Sequence, residues 1–150
     1  MKEKTANPLT SLSGTVSLGG ELTIRRLGFG AMRITGDGIW GPPEDPASAL
    51  AVLRRAVELG VNFIDTADSY GPYTSEELIA KALAPYPRNL VIATKGGWNR
   101  PGPDQWTHDA NRLVIIAYIA FFTCMGTGAY FSGSITLLAR PVLIERSSVV

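Results

Sequence analysis

Three short apolar runs, Arg26 to Met32, Val61 to Ile64 and Leu90 to Thr94, are separated by two stretches with helical spacing of apolar residues. That alternation constrains the chain most, because strands separated by helices pair in parallel as βαβ units. Asp45 is placed to cap the first helix, whose opening turn holds Pro46, where a missing N–H costs nothing. Ala49, Leu50, Leu53, Ala56 and Val57 fall on one stripe, and Gly60 ends it. The second helix is expected to begin at Thr74, with Glu77 completing a capping box. Leu78, Ile79, Ala82 and Leu83 form its buried stripe, and Pro85 and Pro87 stop it. Right-handed crossovers then place every helix on the outside if the sheet curls into a barrel.

Upstream, Thr15-Val16-Ser17-Leu18 and Glu21-Leu22-Thr23-Ile24 alternate in polarity around Gly19-Gly20, the pattern of a β-hairpin. Two segments read as loops: Thr35 to Pro46, rich in Gly and Pro, and Gly96 to Asp109, which has no periodicity. There is no internal repeat.

Charge divides the chain unevenly. Up to Arg112 there are 12 basic and 12 acidic residues, followed by 27 residues, Leu113 to Ala139, with none. A boundary near Asn111–Arg112 follows, with an ordered unit over 1–111 and a hydrophobic tail over 112–150. A span of ~20 apolar residues is long enough to cross a bilayer as a helix, so 113–139 is a candidate transmembrane helix and a candidate membrane contact. A buried hairpin of strands is the alternative, since Gly126, Gly128 and Gly133 weaken a helix. The formal net charge of +1 gives no basic face for nucleic acid. The single cysteine, Cys124, cannot form an internal disulfide, and Met1 to Leu12 has no apolar segment of a secretory signal. These features point to a cytoplasmic protein, with membrane association through the tail as the qualification.

Asp65 and Lys95 each stand directly after an apolar strand, where the active face of a parallel α/β protein forms. Tyr70, five residues past Asp65, can fold back over the same opening. A phenol with an ordinary pKa of ~10 is a poor acid at neutral pH. A nearby ammonium favours the phenolate, and a carboxylate holds the ammonium in place. Such a tyrosine could protonate a carbonyl oxygen as hydride arrives at carbon. The plain alternative is a salt bridge closing a βαβ unit, with Tyr70 as a half-buried loop aromatic. Lys95 as a Schiff-base amine in a lyase or aldolase is another, which the carboxylate of Asp65 argues against. Trp40, Trp98 and Trp106 lie in loops on this face, either walling a substrate pocket or covering the rim. His108 reads as a solvated loop residue, and no metal is expected.

Asn62-Phe63-Ile64-Asp65-Thr66-Ala67-Asp68-Ser69-Tyr70-Gly71, followed by Ser75-Glu76-Glu77-Leu78-Ile79, resembles the signature of the aldo-keto reductases. Leu27-Gly28-Phe29-Gly30-Ala31-Met32, Leu59-Gly60-Val61 and Ala93-Thr94-Lys95 fit the same family in order and distance, so the resemblance runs from about Val16 to Asn111. It implies an α/β chain forming part of a (β/α)8 TIM barrel, with the N-terminal hairpin as the plug under it. It implies NADP as cofactor and an aldehyde or ketone as small-molecule substrate, reduced by hydride transfer. Asp65, Tyr70 and Lys95 match three of the family's four catalytic groups. Gly30, Ala31 and Met32, with Asp65, match the segment beside the nicotinamide.

The fourth group, a histidine after the fourth strand, has no match. After Asn111 the charged amphipathic helix of the family is replaced by the apolar tail. A complete barrel takes ~250 residues, so the expectation is a truncated, inactive form whose tail is a hydrophobic helix. The alternatives are a membrane-associated pseudo-enzyme and a misjoined reading frame without catalytic function.

Overall fold

A computed structural model describes residues 12–18, 20, 22–108, 130–132 and 136–139. The hairpin forms as expected: β1 (Thr15–Leu18) pairs antiparallel with β2 (Leu22–Arg25), Leu18 opposite Leu22. Next come β3 (Phe29–Gly30), α1 (Pro46–Glu58), β4 (Phe63–Asp65), α2 (Thr74–Leu83) and β5 (Val91–Lys95). Then follow β6 (Trp98–Gly102), β7 (Gln105–His108), β8 (Tyr130–Ser132) and β9 (Thr136–Ala139). Strands β3, β4 and β5 lie side by side and parallel, Gly30 opposite Asp65 and Asp65 opposite Ala93.

Local chemistry explains the helices. The Asp45 carboxylate accepts from the backbone N–H groups of Ala47 and Ser48, two donors the first turn of α1 cannot satisfy internally. Its pKa is lowered, first by the hydrogen bond from the Ser48 hydroxyl and then by these backbone bonds. Helix α2 starts at Thr74, but not through a capping box. Tyr73 holds the cap position in a left-handed conformation at φ 63°, and no side chain caps the helix. The Thr74 hydroxyl donates instead to the Gly71 carbonyl at 2.5 Å. Glycine is required at 71, where φ is +82° and an added Cβ would stand 2.6 Å from Cβ of Thr74.

The period of two along β4 and β5 separates two packed layers. Ile64 and Ile92 face α1 and α2, joining Leu53, Leu78, Ile79, Leu83 and Leu90. Phe63, Val91 and Ala93 face the opposite way, onto Leu22 and Ile24 of the hairpin. Asn62 locks the hairpin down: its Oδ1 accepts from Arg25 N at 2.8 Å, and its Nδ2 donates to the carbonyls of Thr23 and Asn89. By the same alternation Asp65 and Lys95 belong to the hairpin-side face, at its far end.

Three further expectations need correction. The strand read as Arg26 to Met32 is only two residues long, and the chain turns at once into a 3-10 helix, Ala31–Ile34. That turn buries Ala31 and Ile34 against the helices. The aperiodic loop after Lys95 contains a real hairpin, β6–β7, with a bulge between Asn99 and Gly102. Within the span read as a membrane helix, residues 130–132 and 136–139 are strands. Strand β9 runs antiparallel beside β5, with Lys95 opposite Thr136, and β8 pairs with β9. The hairpin alternative describes these residues better, because the open edge of β5 offers their backbone a ladder that a helix would forgo. Among the described residues no helix is long and apolar enough to cross a membrane. Residues 113–129, Cys124 and the boundary at 111–112 lie outside the described residues.

Candidate active site

The ends of β4 and β5 bring together the charges the sequence set apart. Lys95 Nζ donates to Asp65 Oδ1 at 2.6 Å and to the Thr66 carbonyl at 2.9 Å. The pair is half-exposed, at 32% and 44% for the two side chains, so it opens onto a cleft. The Tyr70 ring lies on the same side, its centroid 5.4 Å from Nζ. Tyr70 is held there by the chain around it. Thr66 N bonds to Ala93 O and Asp68 N to Lys95 O, so the loop leaving β4 is stitched onto β5. Tyr70 N bonds to Ala67 O, and Ser75 N to Tyr70 O.

A buried hydroxyl relay fixes this loop to β3. Ser75 Oγ donates to the Ala31 carbonyl at 3.2 Å, which commits its only hydrogen. Thr66 must then be the donor in the 2.8 Å contact between the two hydroxyls. The ends of β3, β4 and α2 are thereby joined beneath the cleft.

The cleft is a cavity of about 460 Å³ lined by Met32, Ser69, Tyr70, Lys95, Trp98 and Trp106, among others. Of the three expected nicotinamide neighbours, Met32 lines this cavity. Gly30 opens onto free space, since a Cβ built there meets nothing within 4 Å. Ala31 is fully buried and its carbonyl is taken by the Ser75 hydroxyl, so it offers no exposed surface to a ligand. Open backbone at residue 30, a thioether at 32 and a half-exposed carboxylate at 65 make a surface that fits a flat ring laid along the end of β3.

Trp98 and Trp106 wall the cavity edge to face, with ring centroids 6.1 Å apart. Trp40 stands one layer out, 5.5 Å from the Arg100 guanidinium. His108 lies on exposed β7 rather than in a loop, its ring 3.8 Å from that of Trp98. Arg100 has no signal in the sequence. Its spacing from its partners, 61 residues to Ile39 and 31 to Ser69, leaves no periodic trace.

On the opposite face of β5, Thr94 donates to Glu76 Oε1 at 2.6 Å. Burial pushes the Glu76 carboxyl above its ordinary value against the lowering effect of that bond, and the charge of Asp68 raises it further. Tyr86 is raised as well, by burial and then by Glu76.

The sequence model of the aldo/keto reductase family matches residues 26–117. The chain belongs to the aldo/keto reductase family. It is 56% identical over 96 residues to an uncharacterised oxidoreductase of Schizosaccharomyces pombe, covering 64% of this chain and 31% of that protein. It is 47% identical over 94 residues to the pyridoxine 4-dehydrogenase of Escherichia coli, covering 63% of this chain and 32% of that one. An aldo-keto reductase from Bacillus halodurans, solved in its holo form, superposes with a TM-score of 0.58 at 29% identity. That match covers 71% of this chain and 34% of the other. The glycerol dehydrogenase of Gluconobacter oxydans superposes with a TM-score of 0.59 at 29% identity, covering 72% and 34%. The chain therefore spans about a third of the length of the curated relatives it matches. The family match runs past residue 111, slightly into the apolar segment.

Proposed function

We propose that this aldo/keto reductase chain carries the proton-transfer face of an NADP-dependent reductase that converts small aldehydes or ketones to alcohols. One observation carries the reading: the Lys95 ammonium sits 2.6 Å from Asp65 at the mouth of two parallel strands, with the Tyr70 ring 5.4 Å away over the same cavity. In this reading Tyr70 gives its phenolic proton to the carbonyl oxygen, and takes it back in the reverse direction. Lys95 stabilises the phenolate left behind, and Asp65 with the Thr66 carbonyl keeps the ammonium aimed. The nicotinamide, when bound, supplies the hydride. Gly30, Met32 and Asp65 would hold it, with Ala31 buried behind them and its carbonyl anchoring Ser75. Two similar proteins are named for pyridoxine and for glycerol, which supports a small-molecule substrate.

The resemblance asks for a histidine after a fourth parallel strand. The one histidine in the 150 residues is stacked on Trp98 in the exposed β6–β7 hairpin. The family's groups for the cofactor's adenosine phosphate also belong to later strands. We expect these 150 residues alone to be inactive and to bind NADPH weakly, so tight binding in a fluorescence titration would overturn that part of the reading. The chemistry is tested by joining residues 1–111 to the remaining barrel of the Escherichia coli relative. Tyr70→Phe in that chimera is expected to lower kcat by about 10²–10⁴-fold, with cofactor affinity unchanged. Undiminished turnover in the Phe variant would remove Tyr70 from the mechanism.

A further inference from the structure

Arg100 is the most heavily committed side chain near the cavity. It is only 5% exposed, although it belongs to a hairpin whose neighbouring residues are mostly open to solvent. A guanidinium has five N–H donors in a rigid plane. Nε donates to the Gln105 carbonyl at 3.1 Å, within the hairpin. Nη1 donates to the carbonyls of Ile39 at 3.0 Å and Ser69 at 3.4 Å, and Nη2 to that of Gly38 at 3.1 Å. The flat face of the group lies 3.8 Å from the Trp106 ring. One side chain therefore joins three segments: the 38–39 turn, the residue before Tyr70, and the hairpin that carries both indoles of the cavity wall.

A second observation shows that this clamp bears load. Ile39 adopts φ 58°, a left-handed conformation that a β-branched residue holds only when its surroundings impose it. Its carbonyl accepts from Arg100 and from Gly71 N at 3.2 Å. The strained turn is thus fixed on one side by the clamp and on the other by the loop that positions Tyr70.

We propose that Arg100 is the positioning residue of the cavity: it locks the indole wall of Trp98 and Trp106 against the loop bearing Tyr70 and so fixes the width of the pocket. Its importance to a substrate rests on reading the cavity as the carbonyl pocket. The clamp itself can be tested without substrate or turnover, so failure of one is distinct from failure of the other. A lysine keeps the charge but has neither the flat face nor the fork that reaches three segments. A merely electrostatic role would therefore be rescued by Arg100→Lys, and a clamp would not.

The test uses the 150-residue chain with Arg100→Lys and Arg100→Met, and with Arg55→Met at an exposed ion pair as control. Both Arg100 variants are expected to lose the near-ultraviolet circular dichroism of the coupled indoles and to gain chymotryptic cleavage after Trp98 or Trp106. Their far-ultraviolet spectra should match those of the parent and the control. Retention of the indole band and of protease resistance in either folded variant overturns the proposal. Should the variants not fold, the unaltered chain decides by NMR. An Arg100 Nε–H that exchanges slowly and is shifted by the adjacent ring supports the clamp, and one that exchanges like free arginine overturns it.

Discussion

The two sides of β5 follow different rules. Toward β4 the pairing is parallel, the crossover runs through α2, and side chains alternate between a helix-facing and a hairpin-facing layer. Toward β9 the pairing is antiparallel, with no crossover helix among the described residues. The parallel side carries Asp65, the Tyr70 loop and most of the packed apolar core. The antiparallel side supplies the edge with hydrogen-bond partners. The contrast teaches that the arrangement of Asp65, Tyr70 and Lys95 depends on β3, β4, β5 and the loops they launch, and is formed without a parallel strand on the far side of Lys95.

The strongest way to break this comparison is to perturb each side in turn. Ile64, fully buried under both helices, should cost about 2–5 kcal/mol when cut to alanine, measured by urea denaturation. Leu138→Pro removes a backbone donor from β9 opposite Ala93. It is expected to cost clearly less and to leave the helical circular dichroism intact. Equal losses from the two substitutions would mean that the antiparallel edge is as integral as the parallel core. Next in size is Asn62→Ala, which strands backbone groups of the hairpin and of Asn89 and should cost about 1–3 kcal/mol. Hydrogen exchange should then rise first in β1 and β2.

The smallest effect sharpens the comparison through pH. Folding raises the Glu76 carboxyl above the ordinary 4.5, chiefly by burial, so the folded chain holds that proton more tightly than the unfolded one. Stability attributable to this group is therefore highest below about pH 4.5 and is lost as pH rises through the raised folded value. Glu76→Gln keeps an acceptor for Thr94 and removes the charge. A modest rise in the urea midpoint is expected at neutral pH, vanishing in acid. A fall at neutral pH would show that the ionised carboxylate stabilises the α2–β5 contact.

What could be read from the sequence was local or strictly periodic. Asp45 beside Pro46 announces α1, and Gly60 closes it. The alternation through Ile64 and Asp65 points one residue at the helices and the next at the cleft. The juxtaposition of Asp65, Tyr70 and Lys95 is legible because two of them close neighbouring parallel strands and the third follows β4 by five residues. What escaped was long-range or conformationally unusual. Thr74 and Glu77 have the composition of a capping box, yet Gly71 and left-handed Tyr73 start α2 another way. The β6–β7 hairpin has no alternating pattern because Arg100, its inward anchor, is a charged residue satisfied by carbonyls far away in the chain. The apolar residues at 136–139 fit a lipid-facing helix as readily as an edge-covering strand, and only the vacancy beside β5 distinguishes the two.

The bonds made by Lys95 also bear on which reactions the site can host. An ammonium has three hydrogens, and two are committed, one to the Asp65 carboxylate and one to the Thr66 carbonyl. An amine that attacks carbon needs an unshared electron pair and room to swing toward the electrophile. Loss of the third hydrogen would supply the pair, but the nitrogen could not swing toward an electrophile without giving up its bonds to Asp65 and Thr66. The tether thus holds this nitrogen in place, and under the proposed function that favours a fixed electrostatic support over an attacking amine.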